Sequence, residues 1–149
     1  MKFRTNKIFD NRFGKAFKKS EMLPPELLQI VDSGFISEDG AWFIAALKRG
    51  GSTNVNKSTF PTLTELECFF NHIHLDDLCE QNFLGHALYC DSALRKQLNS
   101  YLGEDKMRSI ISSDDTGCVF RCHVIRAGER WNVDDLDLYK EEAVLVIDP

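Results

Sequence analysis

The amino-acid sequence predicts an α+β fold, in which a mostly antiparallel sheet carries helices on one face. Two pairs of apolar runs flank short turn sequences, which is typical of β-hairpins. Apolar residues near helical spacing fill 83–102, and a β-branched run fills 143–147. Because 149 residues is the usual size of one domain, we expect a single domain over residues 1–149 with a basic N-terminal arm at 1–20.

The N-terminal arm combines basic and aromatic residues. Phe9, Phe13 and Phe17 recur every four residues, which predicts a short helix with one aromatic face. We interpret the arm as a docking element whose phenylalanines pack on the core while its lysines face solvent. The alternatives are a basic surface for RNA, for anionic lipid, or for the acidic remainder of the protein itself.

The next part of the chain predicts a helix, a hairpin and a loop. Pro25 is well placed to open a helix that ends near Gly34. The pair Asp39–Gly40 separates two apolar runs, the second at 41–47, and is the strongest hairpin signal in the sequence. The glycine-rich stretch 50–54 breaks this pattern and predicts a loop.

A second helix is predicted where Thr64 and Glu67 match a capping box. Asp76 and Asp77 are placed to cap a further short helix. The first of these helices would direct four apolar side chains inward: Leu66, Phe69, Phe70 and Ile73.

A long helix is predicted over 83–102 and ends at Gly103, a residue suited to the left-handed position after a helix. Five side chains would form its apolar face: Leu84, Leu88, Leu94, Leu98 and Tyr101.

The last part of the chain predicts a second hairpin and a final strand. The runs 107–112 and 118–125 flank Asp114–Gly117, a turn sequence. The acidic segment 134–142 has room for one or two helical turns. The β-branched run at 143–147 suits a buried strand.

The composition excludes several classes of protein. Hydrophobic residues make up 43% and charged residues 28% of the chain, so disorder throughout is not expected. The net charge of −5 argues against a dedicated nucleic-acid binder. Residues 1–20 hold seven bases and one acid, a net +6, whereas residues 21–149 hold 11 bases and 22 acids, a net −11. The chain is therefore a basic arm on an acidic body.

The sequence predicts a cytoplasmic protein. No apolar run approaches the length that spans a bilayer, and the basic start lacks the apolar region of a secretory signal. The five cysteines are odd in number and irregularly spaced, which favours a reducing compartment over a disulfide framework.

Possible metal ligands are concentrated in the middle of the chain. Cys68 and His72 lie four residues apart, as do His86 and Cys90, and zinc accepts both residue types. Because this spacing matches no standard zinc site, we interpret the four residues as ordinary core and surface residues. We expect no metal, no cofactor and no catalytic residue.

Two other chemistries are less favoured by the residue pattern. Cys122 adjoins His123, but neighbours on a strand point to opposite faces and cannot act as a nucleophile and its base. The four histidines lack the basic surroundings that RNA cleavage favours. Two alternatives stay open: a small enzyme with an unrecognised Cys/His site, and a regulatory domain that contacts nucleic acid through residues 2–19.

Clustered acids are the main candidate for function. They fall in predicted turns and helix starts, where capping and solubility explain many such residues. Together they would give the body a negative field, which speeds association with a basic protein. Two aromatic residues nearby would anchor the interface. The predicted partner-binding residues are Asp76, Asp77, Glu80, Asp114, Asp115, Trp131, Asp134, Asp135, Asp137 and Tyr139.

The whole chain resembles the immunity proteins of bacterial contact-dependent growth inhibition systems. The resemblance rests on the start Met1–Arg4, the hairpin sequence Asp39–Phe43, the acidic stretch 134–142, and the short α+β length. It implies a cytoplasmic protein without catalysis of its own that binds the C-terminal toxin domain of a delivered effector. Since many such toxins are nucleases, it implies a basic nuclease as partner, and neither a membrane nor nucleic acid.

Overall fold

The computed structural model describes residues 1–51 and 57–149. Short 3₁₀ helices occupy Lys57–Thr59, Leu75–Asp77 and Leu136–Leu138. The α-helices in the described ranges are α1 (Lys7–Phe13), α2 (Pro25–Asp32), α3 (Ala45–Gly50), α4 (Leu63–Phe70) and α5 (Phe83–Leu102). The strands are β1 (Lys2–Thr5), β2 (Phe35–Glu38), β3 (Ala41–Ile44), β4 (His72–His74), β5 (Met107–Ser113), β6 (Cys118–Val124) and β7 (Ala143–Asp148).

Two antiparallel sheets form the β structure of the described residues. The large sheet has the strand order β1-β7-β5-β6-β4, and the small sheet pairs β2 with β3. Helix α5 packs on one face of the large sheet, where Ile111, Phe120 and Leu145 belong to the main core. This arrangement confirms the predicted α+β class.

The opposite face of the large sheet is covered by a short 3₁₀ helix and not by a long helix such as α5. Ile110, Val144 and Val146 form a small buried cluster there with Leu136, which lies in the last 3₁₀ helix. The segment 134–142 therefore forms one short helical turn, and this turn shields the sheet. No helix in the described ranges has the length and apolar character needed to cross a membrane.

The basic arm is part of the fold. Strand β1 is an edge of the large sheet and pairs with β7, and Phe9 is buried in the main core. Helix α1 ends at Gly14, whose φ of +67° favours glycine. Phe17 consequently lies beyond the helix, although its ring packs edge-on against that of Phe9 at 5.4 Å. The docking interpretation is confirmed for these rings, whereas the continuous helical face is wrong.

Several predicted elements are confirmed. Helix α2 begins at Pro25, both hairpins form, and α5 covers Phe83–Leu102 and stops at Gly103 with φ +74°. The prediction that Tyr101 faces the core is wrong, because its side chain is 57% exposed at the helix end and packs against Trp42.

The run 41–47 splits between a strand and a helix. Strand β3 ends at Ile44, and Ala45 begins α3 with its N–H donating to the Gly34 carbonyl at 2.8 Å. Alanine and leucine are good helix formers, which explains why the apolar run leaves the sheet. A loop is predicted at 50–54. In the structure Gly50 is the last residue of α3, and residues 52–54 lie outside the described residues.

The capping-box prediction is wrong in register. Helix α4 begins at Leu63, and the N-cap is Thr62, whose hydroxyl accepts from the Glu65 N–H at 3.1 Å. Thr64 is instead buried and donates through its hydroxyl to Glu129.

Three further predictions for residues 69–77 differ from the structure, two on buried side chains and one on a helix cap. Phe69 is 43% exposed because α4 ends one residue later. Ile73 is buried, but from strand β4, which the helical spacing did not predict. Asp76 and Asp77 lie within the second 3₁₀ helix and not at its cap, which is His74.

Glu67 joins α4 to both sheets. Its carboxylate is fully buried, with one oxygen accepting from the Trp42 N–H and the other from the Val124 N–H, each at 2.8 Å. Arg126 donates to both oxygens and also to the Gly40 carbonyl. This buried charge is thus paired and fully hydrogen-bonded.

Arg95 attaches α5 to the large sheet in a similar way. Its guanidinium pairs with Asp91 at 2.8 Å and Asp105 at 2.9 Å, and donates to the carbonyls of Met107 and Ile147. The helix is therefore tied to the start of β5 and the end of β7.

We expect Glu67→Gln to lower the free energy of unfolding by about 3 kcal/mol, because the new amide would face a backbone donor and Arg126 would lose its ion pair. Denaturant unfolding of the variant measures this. The matched control is Glu26→Gln, at an exposed position of α2, for which we expect the free energy of unfolding to change by less than about 0.5 kcal/mol. Equal stability of both variants would contradict the role of Glu67.

Candidate functional site

Three of the predicted partner-binding residues meet beside the turn between β5 and β6. A cavity of about 220 Å³ is lined by His74, Asp76, Asp114 and Glu142 among others. A second cavity of about 500 Å³ shares Asp114 and Glu142 and adds Tyr139, Lys140 and Glu141, so that one base lies among its acids. We name this concave region the acidic cleft and define it by Asp76, Asp114, Tyr139, Glu141 and Glu142. Its residues come from segments far apart in the sequence.

The two aspartates of the acidic cleft are fixed by backbone donors. Asp76 accepts from the Cys118 N–H at 3.0 Å. A Cβ on Gly117 would lie 2.3 Å from the Asp76 carboxylate, so only glycine allows this close approach. Asp114 accepts from the Thr116 hydroxyl and N–H, each at 2.7 Å, and these hydrogen bonds lower the pKa of Asp114. These hydrogen bonds therefore favour the charged form of Asp114.

Three further predicted acids lie within four residues of a cleft aspartate in the sequence. Asp77 and Glu80 are exposed, and within the described ranges no cation pairs with them. The Asp115 side chain is 98% exposed and lies 3.3 Å from the Arg12 guanidinium. We name Asp77, Glu80 and Asp115 the acidic rim.

The remaining predicted acids lie in a separate segment and have structural partners. Asp135 caps the last 3₁₀ helix by accepting from the Asp137 N–H at 3.1 Å. Asp137 in turn accepts from the Lys7 N–H at 2.8 Å, at the first residue of α1. Asp134 lies 3.4 Å from Arg130 in an exposed pair. Asp135 and Asp137 therefore stabilise helix starts as well as adding charge, whereas Asp134 has only the exposed ion pair.

The two predicted aromatic anchors have different environments. Tyr139 packs against the small cluster on the thinly covered sheet face and also lines the acidic cleft. Trp131 is 42% exposed and lies over Arg121, with the guanidinium 5.7 Å from the ring centroid. Trp131 is not among the residues that line the cleft.

Two histidines form a pair on β4 that the sequence pattern did not predict. His72 and His74 lie on one face of the strand with their rings 5.2 Å apart, and His72 is directly opposite Arg121 on β6. His72 Nδ1 donates to the Phe69 carbonyl at 2.6 Å, and burial lowers the pKa of His72. The signal was the alternation of the two histidines, which becomes informative only once β4 is known to be a strand.

The cysteines are not activated. Burial raises the pKa of Cys90 and of Cys118 to about 12, and raises the pKa values of Cys68 and Cys122 as well. These thiols are protonated at neutral pH, whereas a nucleophile or a metal ligand needs the thiolate.

Cys68, His72, His86 and Cys90 do not converge on a metal site. Nowhere in residues 1–51 and 57–149 do three His, Cys, Asp or Glu side chains come close enough together to hold a metal ion.

Residues 4–149 match the model of the family described as "Uncharacterized protein PM0498 family". The chain belongs to this family. No curated protein and no solved structure matches the chain. Membership of the PM0498 family carries no link to immunity proteins, so that assignment stays a prediction.

His123 gives this PM0498-family chain a pH-dependent stability. The side chain is 2% exposed, its Nδ1 donates to the Val124 carbonyl, and its Nε2 has no partner in the described part of the chain. Burial, with Arg108 and Arg126 nearby, lowers the pKa of His123 to about 4. Between that value and an unfolded pKa of about 6.5, the unfolded chain binds the extra proton. Stability therefore falls as the pH falls through this window.

We expect the wild-type chain to lose about 2 kcal/mol more than His123→Gln between pH 6.5 and 4.5, because glutamine cannot take up a proton. Denaturant unfolding of both proteins at each pH measures the difference. Carboxylates that do not interact with His123 contribute equally to both proteins, so the comparison isolates His123 together with its interactions with Glu129 and Asp148. Parallel pH profiles would contradict the expectation.

Proposed function

We propose that the protein binds a basic protein partner through the acidic cleft and acidic rim, and acts in the cytoplasm as an immunity protein that neutralises a toxin domain. The observation that carries this proposal is the placement of acids from 76–80, 114–115 and 141–142 around one turn. Most of these carboxylates are exposed, and the ion pair of Asp115 with Arg12 is the one salt bridge to a cation among them in the described ranges.

Electrostatics explains how such a surface would act. A concave surface with an excess of one charge focuses its field and speeds the approach of an oppositely charged partner. It also disfavours partners of like charge. A nuclease presents cations that bind the phosphates of its substrate, and carboxylates of the acidic cleft would occupy the positions of those phosphates.

The structure of the basic arm favours a protein partner over nucleic acid. Arg4 pairs with Asp148, Lys7 with Asp137, and Arg12 with Asp115. Three of the seven bases of the arm therefore pair with acids of the body, which was one of the interpretations left open by the sequence. This use of the arm does not support the alternative of a regulatory domain that contacts nucleic acid.

The alternative of an enzyme with a Cys/His site has weaker support. The cysteine thiols are protonated, and Cys90 and Cys118 are buried in the main core. Protein binding needs neither an activated thiol nor a metal, and it uses the exposed acids directly.

The experiment first reads the gene next to that of this chain, where we expect the reading frame of a large secreted protein, and then pairs this chain with the C-terminal domain that the frame encodes. We expect the two to co-purify, and the toxicity of the domain to disappear on co-expression. With Asp77→Lys/Glu80→Lys, we expect the association rate constant at low salt to fall about tenfold and the dissociation rate to change little. Stopped-flow fluorescence at several salt concentrations measures both.

The matched control is Glu26→Lys/Asp32→Lys, which makes the same charge change on exposed positions of α2. We expect this control to alter the association rate much less than the acidic-rim variant does. An association rate that is independent of salt, or equally affected by both variants, would contradict the role of the acidic surface. Absence of neutralisation by the wild-type chain would contradict the immunity function.

A further inference from the structure

A cavity of about 410 Å³ lies between the basic arm, the start of α5 and the large sheet. This volume is within the range of sites that hold a small molecule. Aromatic rings form much of the wall, with Phe9, Phe13 and Phe17 from the arm and Phe83 from α5. Because Phe13, Phe17 and Phe83 are only half-buried, part of this apolar wall stays open to contact.

The arm side of the cavity is fixed to the start of α5. Ser20 donates its N–H to the Gly85 carbonyl at 2.9 Å, and its hydroxyl accepts from the Asn82 amide at 2.9 Å. A Cβ on Gly85 would lie 2.7 Å from the Ser20 hydroxyl, so glycine permits this close approach. Closer to α1, the Phe17 ring packs on that of Phe9. Hydrogen bonds and ring contacts therefore hold the wall in place.

The lining of the cavity carries a single formal charge, which is positive. Among the described residues Lys18 lines the cavity, whereas no aspartate or glutamate does. Lys18 has no ion pair within 1–51 and 57–149, unlike Arg4, Lys7 and Arg12 of the same arm. Its side chain is exposed, so the flexible stem brings the ammonium group to the mouth of the cavity at little cost. An occupant that complements this lining has an apolar body and a negative charge.

One ion pair adjoins the lining and changes this balance little. Arg12 donates to the carbonyl of Ser113, a lining residue, at 3.1 Å and lies 3.3 Å from the Asp115 carboxylate. The opposite charges of this pair largely cancel at a distance. The ammonium group of Lys18 therefore determines the sign of charge that an occupant meets.

We propose that this cavity binds a small aromatic carboxylate, with its ring among the phenylalanines and its carboxylate beside the Lys18 ammonium group. Phe9 meets Phe13 at 44° and Phe17 at 88°, so a further ring finds the tilted and edge-on contacts that aromatic groups prefer. A single lysine matches the single charge of a carboxylate, whereas a phosphate dianion would stay partly unpaired. The carboxylate remains at the exposed mouth, which limits its loss of hydration.

Phenylpropionate is the probe, added to the isotope-labelled full chain. We expect NMR shifts concentrated on residues that line the cavity, including the methyl groups of Leu84, Ile111 and Ala143. We expect phenylpropionamide, which is neutral and of nearly the same shape, to bind about fivefold more weakly. Acetate, which has no ring, is expected to leave these methyl groups unchanged. Absence of shifts at the cavity, or equal affinity for the acid and the amide, would overturn the proposal.

Lys18→Gln tests the origin of the preference for the acid. The change removes the charge of an exposed side chain and leaves the core intact. We expect it to weaken phenylpropionate about fivefold and to leave the affinity for phenylpropionamide unchanged. The matched control, Lys15→Gln, makes the same charge change at another exposed position of the arm that is not part of the lining. We expect this control to alter either affinity by less than about twofold. Equal effects of the two variants would overturn the proposal.

The carboxylate site and the proposed function are tested separately. None of the residues that define the acidic cleft or the acidic rim lines this cavity, so the site does not depend on the immunity function. If phenylpropionate binds in the cavity but the toxin domain is not neutralised, the site is supported and the immunity function is contradicted. If neutralisation occurs but phenylpropionate does not bind, the carboxylate site is overturned and the immunity function stands.

Discussion

The buried carboxylate of Glu67 organises the junction on which the two sheets depend. It accepts from backbone donors of β3 and β6 and pairs with Arg126, so three elements are fixed to one side chain. A charge at this depth is stable only because both oxygens have partners. The position of α4 against the large sheet is therefore set by polar geometry, and the apolar side chains of the small core, such as Phe43 and Phe70, pack around it.

The acidic cleft depends on that junction through the segment that follows α4 in the sequence. Directly after α4, the Asn71 side chain accepts from the Ile44 N–H and donates to the Trp42 carbonyl, each at 2.8 Å. The chain then forms β4 against β6 and turns into the 3₁₀ helix that holds Asp76. Asp76 reaches back to the start of β6 through the Cys118 N–H. The position of Asp76 in the cleft therefore depends on the same contacts that fix the buried Glu67 between the two sheets.

The sequence predicted what local periodicity encodes and missed what depends on tertiary contacts. Helix α5 and both hairpins follow from apolar spacing and turn residues that point to the same structure. Glu67 fitted a capping box, because a sequence pattern cannot distinguish a glutamate at a helix start from one buried by Arg126. Strand β4 was missed since three residues are too short to show alternation, and β1 was missed since no turn sequence joins it to a neighbouring strand as Asp39–Gly40 joins β2 to β3. The acids of the cleft were predicted individually, but their convergence and the aromatic cavity arise only when distant segments meet.

The pairing of β1 with β7 has a consequence for how the chain reaches its folded state. Lys2 lies opposite Asp148, so the first and the last strands of the described residues pair with each other. Contacts between such distant positions form late, because the entropic cost of closing a long loop comes before the favourable energy of the contacts. Until then the edge of β1 and the aromatic rings beside it are exposed to other chains. The clustered lysines and arginines of the arm repel other copies of the same segment. This repulsion slows aggregation until β1 has paired with β7.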